Sequence, residues 1–169
     1  MRLRPYISGL DFDVIKNWIT DIREHALWCA NRFAFPTERE NFNEVLNDHA
    51  EHWGDCAFVA TDDSGTPVGF FCYSINLGTN EGMLKFVMVD PSQRGKGIGK
   101  EMLKLAAKYA FEITKADAVR LIVFTENPGA RKCYEGVGFT EVSTEPEAFT
   151  FGDEAWGRCC MMLKKDDRE

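Results

Sequence analysis

Seven consecutive residues, Arg94-Gly95-Lys96-Gly97-Ile98-Gly99-Lys100, have the types and spacing to hold a phosphate. Glycines at 95, 97 and 99 let successive backbone N–H groups approach an anion closely. The helical periodicity that follows sets them at a helix N-terminus, where the first donors lack intrahelical partners. A pyrophosphate suits such a loop. The Walker pattern fails, because Asp90 stands where its first glycine belongs. The dinucleotide pattern G-x-G-x-x-G fails too, placing Met102 or Lys100 at its third glycine.

Other reactive side chains invite blander readings. His49 and His52 share one helix face beside Glu51, Asp55 and Cys56, but no second ligand cluster supports a metal, and none is expected. The six cysteines include no C-x-x-C and mostly have apolar neighbours, which suits small core residues in a reducing compartment.

The elements that must position the loop are legible on both sides. Met83 to Val89 reads as a strand covered on both faces, and Pro91, with no N–H, stops its pairing near Val89. After the loop, Ile98, Met102, Leu105, Ala106 and Tyr109 form a helical stripe, with Lys104 and Lys108 on a solvated face. Val119 to Phe124 is a second buried strand, and Asn127 with Pro128 starts a helix that Gly136 is expected to stop. Upstream, Leu3 to Ile7 suits a first strand. One helix, capped near Asp11, is expected to run through Ile15, Trp18, Ile19 and Ile22 toward Cys29. Thr37 and Glu40 have capping-box spacing for a second helix. A hairpin pairs Cys56–Ala60 with Pro67–Ile75 across Asp62–Gly65. The last strands are expected at Phe139–Val142 and Arg158–Leu163, joined by a long acidic and aromatic loop, with a frayed charged tail at Lys164–Glu169.

At 169 residues, 44% of them hydrophobic, the chain suits one α/β domain over residues 1–169. No apolar run approaches a membrane span and MRLRPYISGL lacks the apolar core of a signal peptide, so a soluble, cytoplasmic protein without a membrane partner is expected. The net charge of −7 is unevenly spread. Residues 9–63 carry twelve acids against four bases; residues 94–132 carry nine bases against four acids. The basic part suits a polyanionic cofactor and the acidic part a cationic partner. Nucleic-acid binding is disfavoured, because the bases cluster at the glycine loop.

Arg94-x-x-Gly97-x-Gly99 fits the Q/R-x-x-G-x-G/A signature of the GCN5-related N-acetyltransferases (GNAT superfamily). Asn127 to Phe139, N-P-G-A-R-K-C-Y-E-G-V-G-F, resembles that superfamily's second signature, N-x-x-A-x-x-x-Y-x-x-x-G-F, and follows after one helix and one strand, as it does there. The resemblance covers Met83 to Phe139 closely, and the N-terminal part only by element order.

That resemblance implies a mixed central sheet, flanked by helices and splayed between the strands ending at Val89 and Phe124. The acceptor side would be built from about residues 1–80, the acetyl-CoA-binding core from 83–139 and the closing strands from 139–163. Acetyl-CoA, the co-substrate, would lay its pantetheine arm in the splay, pairing with backbone near Met88 and Val89. Arg94, Gly95, Lys96, Gly97, Ile98, Gly99 and Lys100 would hold its pyrophosphate, Asn127 would contact the pantetheine, and Arg131 or Lys132 would reach other phosphates. An unpaired edge between two central strands agrees, since such backbone needs a partner. The reaction implied is direct attack of a primary amine on the thioester through a tetrahedral intermediate, with the Val89 N–H facing the oxyanion. Tyr134 stands at the family's proton-donor position, and Glu81 where some relatives place a base; a packing role for Tyr134 and a turn role for Glu81 are the alternatives. The acceptor would be a small-molecule amine or a peptide N-terminus. The first two helices and residues 143–156 are expected to wall its side with acids and aromatic rings, favouring a cation. A homodimer is left open. The rival function is a catalytically silent acetyl-CoA-binding or sensing module.

Overall fold

The computed structural model describes residues 1–165; of the expected tail, Asp166–Glu169 lie outside the described residues. Its strands are β1 (Arg2–Pro5), β2 (Cys56–Thr61), β3 (Pro67–Asn76), β4 (Glu81–Val89), β5 (Ala118–Phe124), β6 (Thr140–Phe151) and β7 (Glu154–Lys164). They form one sheet in the order β1-β2-β3-β4-β5-β7-β6. Every neighbouring pair is antiparallel except β4 with β5, which is parallel and the reason the sheet is mixed. Helices α1 (Ser8–Ile15), α2 (Ile22–Cys29) and α3 (Arg39–Trp53) belong to the N-terminal part; α4 (Ile98–Glu112) and α5 (Pro128–Val137) follow the two central strands. The sheet separates two cores. Met102, Leu103, Ala106, Ala107 and Phe111 of α4 pack with Leu84, Val119, Leu121 and Phe139 in one. Phe12, Ile15, Trp18 and Phe42 pack with Val59, Phe70 and Met88 in the other.

Four sequence expectations are corrected. The single helix toward Cys29 is two. Asp11 does not cap it: Asp11 lies inside α1, fully buried, accepting from the Ile7 N–H at 2.8 Å and from Arg4 at 2.8 and 2.7 Å. Asp21 caps α2, accepting from the N–H groups of Arg23 and Glu24 at 3.0 and 2.9 Å. The apolar stripe runs unbroken in sequence because Trp18 and Ile19, in the connection, are also buried. Secondly, α3 starts at Glu38 with no side-chain cap, so Thr37 and Glu40 form no capping box. Thirdly, α5 runs through Gly136 and ends at Gly138, whose φ of +114° is left-handed. A Cβ at Gly136 would meet only the flexible end of the exposed Lys100 side chain, at 2.5 Å from its Cε. Fourthly, residues 143–156 are not a loop. They are most of the β6–β7 hairpin, which turns at Gly152 (φ +59°) with Phe151 opposite Glu154. Register slips between Glu145 and Phe149, around Pro146, which has no N–H to donate.

Two departures from regular pairing make room for a site. β4 and β5 pair only at Glu81–Ala118, Gly82–Val119 and Met83–Arg120, and beyond those residues they part. On its other edge β4 bulges: pairing with β3 slips between Phe70 and Cys72, and Phe86 has φ +54°. A bulge re-aims the residues beside it. Phe86 and Met88 pack with the Phe42 core, whereas Val87 and Val89 pack with the α4 core.

Candidate active site

Where β4 and β5 part, a cleft of about 690 Å³ opens. One wall is β4 from Leu84 to Val89 and the other is Leu121 and Ile122 of β5 with Asn127, Gly129, Ala130, Lys132, Cys133 and Tyr134 of the α5 region. The glycine loop and the start of α4 form its mouth, and Ile19, Glu24, Leu27 and Trp28 cover it from the α2 side.

The free backbone edge follows from the ladder. Asp90 N–H donates to the Val68 carbonyl at 2.9 Å, and bonded and non-bonded pairs alternate in an antiparallel ladder. The next pair, Gly69 with Val89, is therefore non-bonded, so the Val89 N–H and C=O point away from β3, toward the opening. Met88 pairs with Phe70 and directs its backbone at β3, while its side chain, 5% exposed, is core and borders the cleft.

At the mouth, Asp90 accepts from the Ser92 N–H at 2.9 Å and closes the 3₁₀ turn Pro91–Gln93 that redirects the chain. Gly95 and Gly97 follow with φ of +76° and +80°, and neither would bring an added Cβ within 4 Å of anything. This is a left-handed backbone open on one side, as a loop of anion-binding N–H groups requires. Gly99 answers to a different demand, since a Cβ there would meet Cys133 Sγ at 3.1 Å. The arrangement fits a diphosphate with a long thin arm behind it: donors at the mouth, an unpaired edge along the slot.

Of the residues singled out by sequence, Met88, Val89, Arg94, Gly95, Gly97, Ile98, Gly99, Lys100, Asn127, Lys132 and Tyr134 come together around this cleft. Asn127 caps α5, its Oδ1 accepting from the Ala130 N–H at 3.3 Å. Tyr134 is 8% exposed, and burial pushes its hydroxyl up from the usual tyrosine range, so the ring stays a neutral phenol. Three residues stand elsewhere. Lys96 is exposed and does not line the cleft. Arg131 turns to Glu135 at 2.9 Å and Glu141 at 3.3 Å. Glu81 sits before the opening, both its oxygens held by Arg120 at 2.7 and 3.2 Å, in a second cavity with Trp53 and Asn76.

Trp28, one of the aromatic rings expected to wall the site from the N-terminal helices, lines the cleft, stacked on Phe33 at 4.9 Å and tilted against Phe86 at 6.0 Å. Lys85 and Glu24 line it as well. A bulge leaves no mark in the sequence, so Phe86 and Lys85 had no signal; Glu24 had only its place in the acidic part. Residues 143–156 do not line the cleft. Phe149, Phe151 and Trp156 pack with Ala26 and Phe124 in a small core under α2. Among the described residues no group of three or more His, Cys, Asp or Glu could hold a metal ion. No described helix is long and apolar enough to cross a membrane.

The profile described as Acetyltransferase (GNAT) family matches residues 19–139. The chain belongs to that family. A mycothiol acetyltransferase of Kineococcus radiotolerans is 27% identical over 150 residues, which are 86% of this chain and 44% of that protein. A spermidine N(1)-acetyltransferase of Vibrio cholerae is 28% identical over 117 residues, 69% of this chain and 65% of that one. This GNAT chain spans less than half the length of the mycothiol acetyltransferases it matches. Its fold is that of a solved spermidine N-acetyltransferase from Vibrio cholerae in complex with CoA and spermine, with a TM-score of 0.81 at 24% identity, covering 98% of this chain and 96% of that one.

Proposed function

We propose that this protein transfers an acetyl group from acetyl-CoA to a primary amine, and that the amine is cationic. The parted β4 edge, with a glycine loop at its mouth and a buried phenol beside it, carries the reading. Acetyl-CoA supplies an activated acyl group, and the chain's residues bind and orient it. The N–H groups of Gly95 to Gly99 with Arg94 and Lys100 take the diphosphate, joined by Lys132. The Val89 backbone pairs with the amides of the arm, as would a strand filling the gap. The Val89 N–H then faces the thioester oxygen and stabilises the negative charge that grows there as the amine nitrogen attacks. Tyr134 gives its proton to the departing sulfur; a raised hydroxyl keeps that proton available at neutral pH.

Glu81 is not given the part of base, because Arg120 engages both its oxygens. A lysine-like amine, with an ordinary pKa of about 10.4, must lose its proton before attack, and the open cleft leaves water to take it. Three observations support a cationic acceptor: the acids of residues 9–63, the Glu24 carboxylate in the cleft, and the Trp28 ring beside it. The names of the Vibrio cholerae relatives agree, since they act on spermidine.

The test is release of free CoA thiol with matched cationic, neutral and anionic amines at two salt concentrations. Turnover should be fastest with the cation, by a margin that salt erodes. A preference for the anionic amine would refute the acceptor class. Acetyl-CoA binding without turnover across the panel would establish a silent binding module instead.

A further inference from the structure

Glu24 and Arg94 face each other across the mouth of the cleft. Arg94 Nη1 lies 3.8 Å from Glu24 Oε1, each side chain about half exposed. Glu24 is also the one carboxylate among the described residues that line the cleft, against Lys85, Arg94, Lys100 and Lys132. Lys85 is neutralised by Asp55 from behind. Lys100 and Lys132 form no ion pair among the described residues and are free to meet phosphate. Arg94, foremost in the glycine loop, is the cleft cation whose partner is another group of the cleft.

The pair is held in place from outside. Asp21 caps α2, and Arg23, next to Glu24, is ion-paired with Glu154. The Arg23 guanidinium also lies 5.1 Å over the ring of Trp156, which is fully buried. Glu24 is thus carried to the mouth by an anchored helix.

That position is at odds with binding a polyanion. A diphosphate approaching Arg94 must displace Glu24 and then sit beside its charge, with like charges at close range. A carboxylate there weakens cofactor binding unless a cation takes up its charge. Resting on the acetyl-CoA and amine reading above, we propose that Glu24 is a specificity residue for the acceptor, masked by Arg94 until the diphosphate displaces it. The exchange is of partners: Arg94 passes from Glu24 to phosphate, and Glu24 passes from Arg94 to the ammonium group of the acceptor. Each ligand then improves the site for the other, and linkage requires the same factor in both directions.

Calorimetry on the intact protein tests this with CoA and spermidine as probes, which bind without turnover. In wild type, saturating spermidine should tighten CoA about two- to fivefold, the range of an exposed ion pair, and CoA should tighten spermidine by the same factor. The factor should shrink as salt rises. Glu24→Gln should bind CoA alone about two- to fivefold more tightly than wild type and show no coupling. Spermidine that leaves the CoA affinity of wild type unchanged, or coupling that survives in Glu24→Gln, would overturn the proposal. No CoA binding by wild type would instead overturn the acetyl-CoA reading on which it stands.

Discussion

Asp55 takes the Lys85 ammonium on both carboxylate oxygens, at 3.1 and 3.2 Å, and holds His49 Nδ1 at 3.1 Å on one of them. The Asp55 side chain is 2% exposed, and the Lys85 side chain 22%. His49 in turn meets the Phe86 ring edge-on at 5.2 Å. The end of α3 is thereby tied to the β4 bulge, between two residues that border the cleft. Asp55→Ala removes the shared partner and leaves Lys85 uncompensated. It should destabilise the fold by about 3 kcal/mol or more, as breaking a buried pair from one side does. Urea unfolding checks this; a midpoint unchanged from wild type would mean that the lysine finds solvent at no cost.

Tyr134 tests the chemistry of the cleft. Tyr134→Phe keeps the ring that packs on Phe139 at 6.2 Å and removes only the hydroxyl. Turnover should fall roughly 10²-fold, with acetyl-CoA affinity little changed. Equal turnover numbers would reduce Tyr134 to a packing residue.

What could be read from sequence was whatever a residue type must do locally. Glycines at 95 and 97 announce a left-handed, close-approach loop, Asn127-Pro128 announces a helix start, and Pro91 ends β4. Those marks fall at the mouth and along one wall of the cleft. Features set by distant partners left none. The α1–α2 break hides because Trp18 and Ile19 are as apolar as a helix stripe needs. The β6 strand is exposed over Thr140–Glu147, so it shows no apolar alternation for a strand to be read from. The aromatic rings of residues 149–156 look like a substrate wall in sequence, and they are the underside of α2.

The glycine loop predicts a graded response at residue 97. Gly97 has φ +80° with open space around it, so Gly97→Ala meets no atom and loses only backbone ease, of order 1–2 kcal/mol. Gly97→Glu adds a negative charge where the diphosphate belongs. Calorimetry should show cofactor binding weakened by the first and abolished by the second. Wild-type affinity in Gly97→Glu would place the diphosphate elsewhere.

His25 predicts a pH dependence of stability. It is 1% exposed beside Trp28 and Phe35, and burial lowers its pKa below the ordinary 6.5. The unfolded chain therefore takes up a proton near pH 6.5 that the folded chain refuses. Stability from this group is complete above that pH and is lost as pH falls from about 6.5 toward the folded value. Urea midpoints at pH 7.5 and 5.5 should fall on acidification in wild type and fall less in His25→Gln. Equal slopes in the two proteins would assign the loss to other groups.

Glu81 offers the sharpest separation of two roles for one carboxylate. It pairs with Arg120 through two hydrogen bonds, across the short stretch where β4 and β5 still pair, and each side chain is about a quarter to a third exposed. As a clamp on that junction it would contribute about 1 kcal/mol or less, the worth of a partly solvated pair. As a base it would set the pH at which the acceptor amine becomes reactive. Glu81→Gln keeps the shape and one hydrogen-bonding oxygen while removing the charge. We expect kcat within about threefold of wild type, an unchanged pH–rate profile, and a small loss in the urea midpoint. A fall of 10²-fold in kcat with a shifted basic limb would return Glu81 to the proton path. The route would then run from the cleft through Lys85, which lines both cavities.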